Sequence, residues 1–197
     1  MYNILTLKFE EMSSKPDKKI LEASIINFFG KKNEYKSLSN FSVLDAVING
    51  VEYDSGEHCI HGEKYRFLGD ICQDVKRKEL LLAYSEQFRK GSKFGFGAAV
   101  KRMGGKNGIK LTDTETALWQ TACVDIQRQI CEYKFDNYEV VRDDLFKSRG
   151  KLLVHPAMRC SDEKVLGKMW CGRSKVVDGK VEVIGQNILG VLWMELR

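Results

Sequence analysis

Residues 48–65 read INGVEYDSGEHCIHGEKY, and within them the chain changes its period. Asn49-Gly50 between short apolar pieces is a hairpin signal, because both residue types tolerate the positive φ of a tight turn. VLDAVI and VEY are therefore expected as two short extended pieces. From Asp54 the spacing becomes helical: Asp54 offers an acceptor to the first turn, and Glu57 three positions on completes a capping-box-like pair. Glu57, His61 and Lys64 then fall at i, i+4 and i+7, which stacks them on one helix face with Ile60 beside them. A strand pair feeding a helix with one polar face sets the expected class: α+β, a helix-rich single domain with a small β-sheet.

The flanking sequence agrees with that class. Residues 1–28 suggest a strand in YNILTLKF, a polar turn around Pro16 and a short helix, and a further helix is expected over about 73–90. GSKFGFGAAVKRMGGKNG carries too many glycines for a continuous helix, so it reads as a loop, a short helix near AAVKRM and another loop. TDTETALWQTACVDIQRQICEYKF is the clearest helix. Thr112 and Glu115 have capping-box spacing, and Trp119, Cys123, Ile126, Ile130 and Tyr133 recur every three or four residues as a core-facing stripe. KVEVIGQNILGVLWMELR reads as a strand, a Gly-Gln-Asn corner and a last helix capped by Asn187.

At 197 residues, with 43% hydrophobic and 30% charged residues and two prolines, the chain has the composition of a folded globular domain. No apolar run approaches the roughly 20 residues needed to span a bilayer, and no membrane association is expected. The six cysteines never approach CxxC spacing, which fits reduced thiols and a cytoplasmic, reducing compartment. The net charge of +5 is compatible with an anionic ligand without requiring one. Nothing in composition sets the oligomeric state.

Taken singly, the motifs are weak. His58, Cys59 and His61 lack the further converging ligands that zinc needs, so no metal is expected. GGKNG lacks the end of a phosphate-binding P-loop, and GFGAAV lacks the third glycine of a dinucleotide fingerprint. Lys101, Arg102 and Lys106 remain candidates for a phosphate, against a solvated charged face. Cys59 has His58 as its neighbour, but adjacent helical residues point about 100° apart and cannot easily act as nucleophile and base. Trp119 alone would be an ordinary core tryptophan.

In order, however, five stretches resemble the NADAR (YbiA-like) family. YKSLSNF (35–41) is similar to its Tyr-xx-Leu-Ser-Asn-Phe opening, INGVEYDSGEHCIHGEKY to its Ile-x-Gly-xx-Tyr-x-Ser/Thr-x-Glu-His segment, and AAVKRMGG (98–105) to its Ala-Lys-x-Leu-Gly-Arg turn. Trp119 keeps the family's gap to Phe135, and IGQNILGVLWMELR (184–197) resembles the family's closing motif. The likeness covers residues 29–197, with 1–28 as an N-terminal extension packed on the domain. Departures are concrete: His155 stands at a glutamate position, Leu166 at a tryptophan, and His61 where glutamine is frequent. A short insertion leaves Asp162 and Glu163 as alternatives for the family aspartate, Asp162 preferred.

The resemblance implies an N-glycosidase acting on a bond between ribose and a nucleobase-like group, without a cofactor. Removal of ADP-ribose from guanine in nucleic acid or nucleotides comes first. An intermediate of riboflavin biosynthesis or another ribosylated small molecule is the alternative, and a catalytically silent ADP-ribose or nucleotide binder is the third reading. What the resemblance implies for this chemistry is Glu57 and Asp162 as two carboxylates in different protonation states, with Lys64 as nucleophile or, alternatively, as the ion-pair partner of Glu57. Asn40, His58, His61, Lys101, Arg102, Trp119 and Glu163 are the expected substrate contacts, Trp119 as a stacking face and Lys101 and Arg102 on phosphate.

Overall fold

The computed structural model describes residues 17–29 and 34–197. The strand expected in YNILTLKF lies outside the described residues. In chain order the elements are α1 Lys18–Ala23, β1 Ile25–Asn27, a 3-10 turn Lys36–Leu38, β2 Ala46–Ile48, β3 Val51–Tyr53, α2 Gly56–Ile71, α3 Val75–Glu86, α4 Ala98–Gly104, α5 Asp113–Asn137, α6 Glu139–Lys147, β4 Leu152–Val154, α7 Asp162–Leu166, β5 Arg173–Val177, β6 Lys180–Ile184 and α8 Ile188–Leu196. The class is α+β. Two compact units emerge: a helical one within residues 36–141, and a mixed one of residues 17–29, 34–35 and 142–197 among those described.

In the helical unit β2 and β3 pair antiparallel, with Ile48 opposite Val51 and the turn made by Asn49 at φ 52° and Gly50 at φ 77°. Both central residues are left-handed, as the sequence pattern requires. The hairpin buries Ala46, Ile48 and Tyr53 against Cys59, Tyr65 and Leu68 of α2, Leu81 of α3, and Ile126 and Ile130 of α5. Each large apolar side chain so buried contributes about 1.5–3 kcal/mol.

The start of α2 differs by one residue from the expectation. Ser55 is the cap: its backbone is extended at φ −168°, and its hydroxyl accepts from His58 N–H. The Asp54 carboxylate instead accepts from Gly91 N–H at 2.9 Å and Ser92 N–H at 3.1 Å, pinning the start of the glycine-rich loop. Helix α5 begins with the expected capping box between Thr112 and Glu115. Glu115 also receives both arms of Arg77 from α3, each at 2.8 Å. Near its other end Lys134 is fully buried and donates to the carbonyls of Ser37 at 2.5 Å and Ser39 at 3.1 Å. That anchor holds the segment carrying Asn40.

The mixed unit has two small sheets. β1 lies parallel to β4 with Ile26 opposite Leu153, and β5 pairs antiparallel with β6 around Asp178-Gly179, at φ 50° and 74°. Only β6 was expected; the Asp-Gly between KVV and KVEV is the hairpin signal that reveals β5. Asn187 stands at the start of α8 with φ 50°, but its side chain does not cap the helix. It straps the corner to β4, its Oδ1 accepting from His155 N–H at 2.9 Å and its Nδ2 donating to Leu153 C=O at 2.9 Å. Arg197 donates to the carbonyls of Ser148 at 2.6 Å and Lys151 at 2.7 Å, closing the turn before β4.

Candidate functional site

The periodicity of α2 puts Glu57, His61 and Lys64 on one face, and the surrounding elements bury that face. Glu57 is 7% exposed and Lys64 8%. Glu57 N–H donates to Asn40 C=O at 2.9 Å, so the helix start and the 35–41 segment are joined at the carboxylate's own backbone. Asn40 is held in turn by a reciprocal amide pair with Gln127, at 2.7 and 3.1 Å. Glu57 Oε1 lies 3.3 Å from His61 Nε2, an ion-pair distance without the alignment of a hydrogen bond. Lys64 Nζ donates to Gly104 C=O at the end of α4.

Gly104 is required there by contact. A Cβ at this position would fall 2.0 Å from Cγ of the His61 ring, so only glycine lets α4 close over the imidazole. Lys101 from the same short helix has its ammonium 5.7 Å from the centre of the Phe41 ring, and its charge reaches His61. His58 is fully buried, with Nδ1 2.8 Å from Ser55 Oγ and its ring edge-on to Phe96.

Burial dominates the electrostatics. Desolvation pulls Lys64 down from 10.5 to about 8, with the Glu57 charge working in the opposite direction. Both histidines are lowered by burial, His61 recovering part of the loss from Glu57 and His58 from Asp54. The face thus combines a carboxylate, an imidazole biased toward its neutral form and an amine whose neutral form is within reach at mildly alkaline pH. These are the parts of an acid–base and nucleophilic site.

Asn40, Glu57, His58, His61, Lys64 and Lys101 therefore all belong to one assembly of 36–41, α2 and α4. Arg102 is exposed on α4. Trp119 is elsewhere: it is half-buried on α5 with its ring 6.4 Å from Phe67, where it completes the apolar core. Asp162 and Glu163 open α7 in the mixed unit. Arg173 at 2.5 Å and Lys175 both donate to Asp162, and they hold its carboxyl below the usual range, Lys175 contributing most. Gln127 and Lys134 support the site from α5. Their signal was present in the sequence, since both fall on the helix face of Cys123 and Ile130.

Two clefts lie away from this face. The opposite side of α2 offers one of about 290 Å³, bordered by Asn49, Glu63, Arg66, Asp70, Asp125 and Gln129. Its floor is the buried Glu63, which accepts from Tyr53 Oη at 2.6 Å and from Arg66 Nη2 at 2.6 Å. The mixed unit has one of about 410 Å³ between α1–β1 and β5. Among the described residues no cluster of His, Cys, Asp and Glu is suited to a metal ion, and no helix is long and apolar enough to cross a membrane.

No protein-family model matches the chain, and no curated protein matches it. Among solved structures, the NMR structure of the E. coli protein YbiA superimposes with a TM-score of 0.56, covering 88% of this chain and 82% of that one at 24% identity. The chain has a YbiA-like fold. At that identity the likeness establishes architecture, and the chemistry rests on the α2 face.

Proposed function

We propose that this protein is an N-glycosidase of the NADAR type that removes ADP-ribose from ADP-ribosylated guanine in nucleic acid or nucleotides. The observation that carries the reading is Lys64: an amine 8% exposed, lowered to about 8 by desolvation, on the same face as Glu57 and His61. A lysine needed only as a surface ion-pair partner would keep its solvation. One whose neutral form is accessible can attack a carbon electrophile.

In this mechanism the Lys64 amine attacks the anomeric carbon of the ribose joined to guanine. The C–N bond breaks, and the proton that the attacking amine sheds passes through the Glu57–His61 pair to the departing base. The sugar ring opens to a Schiff base on Lys64, which water hydrolyses to free ADP-ribose and the regenerated amine. Lys101 and Arg102 supply cations for the diphosphate, and Asn40 supplies a polar contact to the ribose. Each acid–base role is worth roughly 10²–10⁴ in rate. The charge of +5 suits an anionic substrate.

The test is incubation with guanine-ADP-ribosylated single-stranded DNA, beside Lys64→Ala, with a borohydride quench and mass spectrometry. Release of ADP-ribose with a trapped ribosyl adduct on Lys64, absent from the variant, is the expected result. Binding without release would overturn the proposal and shift the reading to a ribosylated small-molecule substrate or a silent binder.

A further inference from the structure

His155 and Cys171 lie in the mixed unit and take no part in the mechanism proposed above. Cys171 Sγ lies 3.4 Å from His155 Nδ1, and both residues are partly exposed. The backbone around them is tied on every side. His155 N–H donates to Asn187 Oδ1 at 2.9 Å, Gly172 N–H to His155 C=O at 2.8 Å, and Asn187 N–H to Cys171 C=O at 3.2 Å. Phe28 stacks on the imidazole with ring centres 5.5 Å apart. The pair is therefore held in register by its framework, with the ring plane fixed and the thiol at its edge.

The other described thiols have different surroundings. Cys59, Cys123 and Cys131 are buried. Cys72 and Cys160 are partly exposed, but their sulfurs face backbone carbonyls, of Asp74 at 3.6 Å and Ala157 at 3.9 Å. A carbonyl cannot take a proton from a thiol at neutral pH, whereas an imidazole can. Cys171 alone among these has a base at its sulfur.

We propose that Cys171 and His155 form a reactive thiol site that exchanges with small-molecule disulfides. The thiol proton passes to His155 Nδ1 and the thiolate attacks one sulfur of the disulfide. That S–S bond breaks as a new one forms to Cys171, and the departing thiolate takes the proton back from His155. One disulfide is consumed and one mixed disulfide is made, with no other oxidant.

The experiment uses the full chain at pH 7 with 4,4′-dithiodipyridine in small excess, following thiopyridone release and mapping the mixed disulfides by mass spectrometry. Cys171 is expected to react about tenfold or more faster than Cys72 and Cys160. In His155→Gln its rate is expected to fall to theirs, with circular dichroism checking that the variant is folded. Equal rates at the three thiols of the wild-type protein would overturn the proposal even if the variant failed to fold. An unchanged rate at Cys171 in a folded His155→Gln variant would do the same.

Discussion

Replacing Lys64 by Met should stabilise the protein at neutral pH, and the gain should vanish in alkali. Lys64 falls from 10.5 to about 8 on folding because burial penalises its ammonium form. That drop corresponds to roughly 3 kcal/mol of destabilisation while both folded and unfolded chains are protonated, which holds below about pH 8. Between pH 8 and 10.5 the unfolded chain binds more protons than the folded one, so stability rises with pH and the penalty is relieved. Met keeps the length and apolar stem and carries no charge. It forfeits the hydrogen bond to Gly104 C=O, about 1 kcal/mol, although Tyr65 Oη stays 3.3 Å from the same oxygen. The expected net gain is about 2 kcal/mol at pH 7 and near zero at pH 10. Urea unfolding of wild type and Lys64→Met at the two pH values measures it. A difference that does not change with pH would refute the claim that a desolvated ammonium resides at this position.

Substitutions at two more positions probe the supports of the site and the corner. Gly104→Ala places a methyl 2.0 Å from His61 Cγ, so α4 must back away; a loss of about 1–3 kcal/mol is expected, together with a changed titration of His61 followed by NMR. Asn187→Ala leaves His155 N–H and Leu153 C=O without their partner and replaces, at φ 50°, a residue type that tolerates the left-handed region with one that does so less readily, and is expected to cost about 2–3 kcal/mol in thermal or urea unfolding. Asn187→Gly, free of the backbone strain, should recover part of that loss.

Local patterns were legible in the chain wherever the physics is local. Asn49-Gly50 specifies its turn through positive φ at two adjacent residues, and Thr112 and Glu115 satisfy one another across a single helical turn. The shared face of Glu57, His61 and Lys64 follows from 3.6 residues per turn alone. Asp54 shows where such reasoning stops. It has the chemistry of a cap, but two amides distant in sequence, Gly91 and Ser92, compete for its carboxylate, and adjacent Ser55 takes the cap.

What the sequence determined by itself was the period of each segment, the residue types available on each face and the likeness of five stretches to a known family. What only the tertiary structure decided was which of those residues lose water. Lys64 becomes a candidate nucleophile because α4 closes over it, and α4 closes because Gly104 presents no side chain to His61. The parallel pairing of β1 with β4 and the meeting of His155 with Cys171 likewise join residues far apart in the chain. Desolvation and long-range pairing depend on what packs against a residue from elsewhere, and no periodicity within one segment encodes that.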